Sequence, residues 1–415
     1  MGQPAGGGYL SRNQRAVIWN APITLTNAHV VTEQGTARSV RFASHVLAIG
    51  GSPAPGDAVV DARGSFVLPG LVNAHDHLEL NHYGRLKFRE RYCNAGEWIG
   101  DMRPRLADNA AIRDARSQPL GERLFIGALK NLLSGVTTVV HHNPFYPELR
   151  RDMPLRVLKE YGWAHSFLLQ YRPAGARGEC GGDVRSRYRS TPRSAPFFVH
   201  LAEGVDADAR AELDRLESLG CLAPNTVLVH AVGIDGDGWR RVASVRAGTV
   251  WCPASNIFLF GQTLDPTRTE SDVALGTDSR LTGSRDLLEE LRVAHEASKV
   301  QPARLLSMVT SGAAAMIRQP QLGRIAVGAP ADLLIVPRVK ANPAETLLAT
   351  ARRDIELVTV GGRPMFAHRA LAGIFSSCRT EPRMILVDET PKIADGALAR
   401  RIAECPIVEP GVAVA

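Results

Sequence analysis

The rhythm of apolar and polar positions changes twice along the chain. Residues 15 to 68 carry short apolar runs cut by Gly, Pro and Asn, in RAVIWNAPITLT, SVRFASHVLAIGG and DAVVDARGSFVLPG, and these read as strands. From about residue 320 the texture returns: GRIAVGAPADLLIVP and ELVTVGGRPMF each read as strand, turn, strand. Between them, over 69–319, seven strand-like runs (GLVNAH, VTTVVHH, WAHSFLLQY, FFVHLAE, TVLVHAVG, TVWCPAS and VALGTDS) alternate with helical segments. QPLGERLFIGALKNLLSG and ADARAELDRLESLG have helical periodicity, and the first ends on a glycine where a C-cap belongs. Such alternation predicts a (β/α)8 barrel. One strand is missing from the count. The fourth should lie between Tyr171 and Pro196, where the sequence is rich in Gly, Arg and Ser, so it is degenerate or the barrel is open there. Residues 380–415 add a strand, RMILVD, and a helix, GALARRIAE, which either pack on the barrel or mediate assembly.

Six polar residues stand at the ends of apolar runs: His75, His77, His200, Glu203, His230 and Asp278. Buried parallel strands deliver side chains in this way at their C-terminal ends. Imidazoles and carboxylates converging on one mouth make a hydrolytic metal site. His75 and His77, two apart, project from one face of a strand and can reach one ion; otherwise one binds metal and the other holds a backbone carbonyl. His200 can bind metal while Glu203, a turn further on, moves protons; Glu203 can equally be a first-turn helix acid. Asp278 can ligate the ion and accept a proton from water, or cap a helix, a role better suited to Ser284. His230 is a further ligand or, as we favour, orients substrate. His141 and His142 can line the substrate pocket, one of them being as readily structural. Ser255 and Asn256 can supply hydrogen bonds, and Trp98 either stacks on a flat substrate or fills the core. Cys252 reads as a buried thiol, since no partner base is evident. His29, His45, His165, His295 and His368 have no constellation.

Composition narrows the class. The net charge of +7 is not gathered into a long basic run, and the densest stretch, Arg172 to Arg193, reads as a solvated loop, so nucleic-acid binding is not expected. The six cysteines are far apart with no CxxC pair, which predicts reduced thiols. No apolar run reaches the ~18 residues of a membrane span, and the N-terminus lacks a signal-peptide core. A soluble, cytoplasmic protein is expected.

VLPGLVNAHDH, LLSGVTTVVHH, HLAEG, VLVHAVG, WCPASN, LGTDS and GAPADLLIVP with VGGRPMF together resemble the amidohydrolase superfamily. Within it the resemblance is to cytosine-deaminase-like, guanine-deaminase-like and triazine-hydrolase-like enzymes. It implies an α/β fold: a distorted (β/α)8 TIM barrel over 69–319 and a small composite β-sandwich from 1–68 and 320–379, with 380–415 as a tail. It further implies His75, His77, His200 and Asp278 as ligands of a single divalent ion, Glu203 as proton shuttle and His230 beside the substrate. Binuclear relatives use a fourth-strand lysine, and here no lysine lies between Lys159 and Lys299, so one ion is expected. Zinc is favoured; iron, manganese and cobalt also suit the ligands. The expected reaction is deamination of a nitrogen heterocycle by a homodimer. The rivals are a cyclic amide or imide hydrolase with the same site, and a non-catalytic barrel used as a scaffold. The chain departs from the family in its fourth strand, and the segment after His77 matches no known substrate signature.

Overall fold

The computed structural model describes residues 21–170 and 184–414. The start of the first expected strand and part of the basic stretch, 171–183, lie outside the described residues.

Among the described residues, the middle of the chain forms eight parallel strands in two sheets. One holds, side by side, Arg156–Val157, Val136–His141 and Leu71–Asp76. The other runs Gly162–Ala164, Phe197–Leu201, Thr226–His230, Gly248–Trp251 and Val273–Leu275. The strands that carry the site histidines are buried on both faces, as continuous apolar runs in parallel sheets are. The sheets meet on one side, where the Asp278 amide donates to the His75 carbonyl at 3.2 Å. On the other side Arg156–Val157 and Gly162–Ala164 are separated by residues 158–161, with no strand pairing between them among the described residues.

This corrects the reading of WAHSFLLQY as one long strand. The strand ends at Ala164, because the Ser166 hydroxyl accepts from the Leu168 amide at 3.0 Å and donates to Glu212, turning the chain into a 3-10 helix, Phe167–Gln170. The strand paired to Val136–His141 comes from upstream, at Arg156–Val157, and the described part of the basic stretch is a helix, Val184–Ser190.

The β-rich ends form two further sheets. A four-stranded sheet orders Val46–Ile49, Val40–Phe42, Ile23–Thr26 and Ala58–Asp61. A nine-stranded sheet joins Phe66–Pro69 and the His29–Thr32 hairpin to Leu333–Val336, Leu357–Val360 and Arg363–Ala367, and the tail extends it through Pro382–Val387, Thr390–Asp395 and Val412–Val414. Ile23, Leu25, Phe42 and Val46 of the smaller sheet share one core with Val67, Leu333, Ile335 and Leu357 of the larger. Only Gly70 separates Phe66–Pro69 from the His75 strand, so the sheet and the site are mechanically continuous.

The tail is clamped to the middle region through charge. Buried Glu409 accepts from buried Arg280 at 2.6 and 2.8 Å and from buried Arg352 at 2.6 Å. The helix Leu120–Leu133 packs on the 3-10 turn Leu78–Leu80 that follows the His75 strand, so closely that Gly127 has no room for a side chain: a Cβ there would stand 2.2 Å from the Leu78 carbonyl oxygen. Gly135, just past its end, takes φ +84°, as a glycine after a helix C-cap should.

Two outcomes are expected. In an open helix Gly→Ala stabilises by about 1 kcal/mol, but Gly127→Ala should destabilise by about 1–3 kcal/mol through overpacking, measured by urea unfolding; unchanged stability would mean that the Leu78 turn is free to shift. Glu409→Ala removes the carboxylate shared by two buried guanidinium groups, leaving Arg280 without a carboxylate partner and Arg352 with only Asp388 at 3.4 Å, and should cost about 3–5 kcal/mol in the same assay.

Candidate metal centre

His75 lies in its strand and His77 one residue beyond, their rings 5.0 Å apart at 88°. The Nε2 atoms of His75 and His200 face each other at 3.3 Å. Asp278 Oδ1 stands 3.9 Å from His75 Nε2 and 3.6 Å from His77 Nε2. The His230 ring is 5.0 Å from that of His200 and 5.8 Å from that of His75. Two triads, His75–His200–His230 and His75–His77–Asp278, each bring their ligand atoms within 4.8 Å of one another. His77 Nδ1, His75 Nδ1, His200 Nδ1 and His230 Nε2 are buried with no hydrogen-bond partner.

Electrostatics favours a cation here. Burial, reinforced by the neighbouring histidines, holds His75 and His200 well below the usual imidazole range, so both are neutral and offer lone pairs. Burial alone would raise Asp278, but His77, His230 and His200 outweigh it and keep the carboxyl below its ordinary value. Ser255 and Thr282 each donate to Asp278 Oδ2 at 2.8 Å, and the Ser279 amide donates to Oδ1 at 2.8 Å, which fixes Oδ1 toward the histidines. Neutral imidazoles with one oriented carboxylate fit a divalent ion of intermediate softness.

Glu203 sits beside this group. Its Oε2 is 3.5 Å from His200 Nδ1 and its Oε1 3.6 Å from His230 Nε2. Burial pushes its carboxyl up to about 7, so it exchanges a proton near neutral pH. It is not a first-turn helix acid: the next helix, Ala207–Ser218, is capped by Asp206. His230 Nδ1 donates to Asn256 Oδ1 at 2.8 Å, which leaves Nε2 facing the site as an acceptor.

The backbone is strained where these side chains emerge. His230 (φ 72°), Asp278 (φ 51°) and Ala202 (φ 51°), between His200 and Glu203, all adopt the left-handed conformation without being glycine. Each costs of order 1–3 kcal/mol and persists only where the surroundings enforce it, as at functional sites.

The remaining expected residues divide. His142 joins the cluster, its ring 4.3 Å from that of His200 and its Nε2 donating to the Ala164 carbonyl at 3.1 Å. His141 points elsewhere, accepting from the Leu78 amide at 3.3 Å. Asn256 and Ser255 act through His230 and Asp278 respectively. Trp98 is half-buried, its indole donating to the Leu86 carbonyl at 3.0 Å beside Tyr92, Leu259 and Phe260. Cys252 is buried, and burial raises its thiol well above the ordinary value. Ser284 is not a helix cap; Asp286 fills that role, accepting from the Leu288 and Glu289 amides because it directly precedes Leu287–Ala297. Sequence reasoning missed His165, whose ring lies 6.0 Å from that of His200 and 6.1 Å from that of His142. Burial pushes it down to about 4. Its signal was the one the others share, a histidine just past an apolar strand, hidden by drawing that strand too long.

Known proteins resemble this chain in sequence and in fold. Residues 199–365 match the amidohydrolase family. The chain is 28% identical to a 5-methylthioadenosine/S-adenosylhomocysteine deaminase of Halobacterium salinarum, over 71% of this chain and 78% of that protein. It is 23% identical to an 8-oxoguanine deaminase of Pseudomonas aeruginosa, over 79% and 88%. In structure it is similar to a zinc-complexed atrazine chlorohydrolase of Arthrobacter aurescens, with a TM-score of 0.66 at 20% identity, covering 86% of this chain and 100% of that one. Over residues 199–365 the chain is thus similar to the amidohydrolase family, and the proteins it resembles in sequence and fold include deaminases and a triazine hydrolase.

Proposed function

We propose that this protein is a metal-dependent aminohydrolase that deaminates a nitrogen heterocycle, using one divalent ion, zinc first among the candidates. The ligands are His75, His77, His200 and Asp278. The observation that carries the reading is the arrangement of neutral buried imidazoles around an oriented carboxylate, with Glu203 protonatable near neutral pH beside them. The deaminase relatives support the reaction class. The eight parallel strands read as a (β/α)8 barrel opened between Val157 and Gly162, and the sheets of 1–68 and 320–379 as a composite β-sandwich that the 380–415 tail extends. A homodimer is the assembly we propose. No helix among the described residues is long and apolar enough to cross a membrane.

The ion, when bound, supplies Lewis acidity that makes water a competent nucleophile near neutral pH. Asp278, with Oδ2 locked by two hydroxyls, presents Oδ1 to take the proton of the attacking water. Glu203, protonated, gives its proton to a ring nitrogen and so makes the adjacent sp² carbon electrophilic. His230 Nε2 lies 3.6 Å from that carboxyl, and with the Nδ1 proton fixed on Asn256 its lone pair is placed to orient the Glu203 proton and to accept a hydrogen bond from the substrate. The proton held by Asp278 then leaves with the departing nitrogen as ammonia, and the new hydroxyl returns a proton to Glu203 as it becomes the product carbonyl. His142 walls the pocket.

The test is ammonia release from amino-substituted purines, pyrimidines and triazines by metal-analysed protein. Wild type should release ammonia from at least one of them. Glu203→Gln should retain metal and lose roughly 10²–10⁴-fold in turnover; an undiminished rate would remove Glu203 from the mechanism. His77→Ala and Asp278→Ala should lose both metal and turnover. Ring opening of cyclic imides and lactams without ammonia would replace deamination with amide hydrolysis, and a protein that takes up no metal would point to the scaffold reading.

A further inference from the structure

Lys130 is fully buried on the helix Leu120–Leu133, and nothing in the mechanism uses it. Along a strand, side chains alternate, so the residue between His75 and His77 turns away from the metal centre. That residue is Asp76, and Lys130 Nζ donates to its Oδ2 at 3.1 Å. The other two ammonium hydrogens also have acceptors: Asn81 Oδ1 at 2.7 Å and Thr277 Oγ1 at 3.1 Å. Asp76 in turn accepts from Asn81 and Asn131, each at 2.7 Å, and Asn73 Nδ2 donates to Thr277 Oγ1 at 2.8 Å.

The positions joined are the informative part. Asp76 lies between two of the proposed ligands, and Thr277 immediately precedes a third, Asp278. Their strands come from opposite ends of the middle region and meet where the Asp278 amide reaches the His75 carbonyl. A charged pair is a poor way merely to hold the helix, because a well-packed apolar pair of similar volume does so at least as well. What the ammonium adds is direction: it measures one segment against the other from behind, on the side opposite the ligands.

We infer that Lys130 is a positioning residue for the metal centre, pinning the His75–His77 segment to the Asp278 segment so that their donor atoms converge. The inference rests on the ligand assignment proposed above. It acts on the ion only through those ligands, and it predicts that losing the pin loosens metal binding more than it loosens the fold.

The experiment compares wild type, Lys130→Met and the charge-neutral double variant D76N/K130M. Zinc affinity is read by competition with a chromophoric chelator, ligand geometry by the visible spectrum of the cobalt-substituted protein, and folding by thermal unfolding. Zinc affinity should fall roughly 10–100-fold in both variants, as for loss of other groups that orient ligands, and the cobalt band should shift. The double variant should recover most of the stability that Lys130→Met loses while its zinc affinity stays low. It also decides the matter if Lys130→Met does not fold. Folded variants with wild-type zinc affinity and an unaltered cobalt spectrum would overturn the inference, leaving Lys130 as a packing residue and the ligand assignment intact. Wild type that takes up no metal would instead sink the ligand assignment itself.

Discussion

Desolvation of a cluster of imidazoles and carboxylates at one end of the parallel strands sets the chemistry of this protein. In water His75 and His200 would be partly protonated near pH 6.5; buried among one another they are neutral, and neutral imidazole is the form that binds a metal. The same burial acts in opposite directions on the two carboxyls. Burial, with Asp278 nearby, keeps a proton on Glu203 to about 7 against the pull of His230 and His77, while Asp278, facing three histidines and two hydroxyl donors, is held below its ordinary value. One environment therefore yields an acid and a base around the same histidines.

Holding such groups together is costly, and the fold meets the cost with rigidity around them. The left-handed His230 ends a paired strand, Ala202 directly follows one, and the Asp278 amide is held by the His75 carbonyl, so none of the three relaxes freely. The first strand continues through Gly70 into the nine-stranded sheet, and the tail reaches back through Glu409 to Arg280, two residues after Asp278. Helix Leu120–Leu133 closes the rear with Gly127 against Leu78 and Lys130 against Asp76. Loops at the mouth can then vary with substrate while the donors stay fixed.

Much of this was legible in the residues. Each of His75, His200, His230 and Asp278 follows a β-branched run that only a buried parallel strand explains, and the structure brings all four together. The tail helix is found at 396–404, where its periodicity put it. What could not be read depends on contacts distant in sequence. The end of the Gly162–Ala164 strand is decided by Ser166 and Leu168 meeting Glu212, some 45 residues on, and this hid His165. Lys130 looks like an ordinary helix-face lysine until Asp76 and Thr277 are seen behind it. Trp98 was open to two readings, and its indole is committed to a backbone carbonyl.

X-ray absorption of the zinc-loaded protein, with elemental analysis of the same sample, tests the central claim most directly. The account predicts one zinc per chain, bound only by nitrogen and oxygen at about 2.0–2.2 Å, with imidazole multiple scattering from three histidines. Two ions per chain, a sulfur shell near 2.3 Å, or no uptake at all would contradict it.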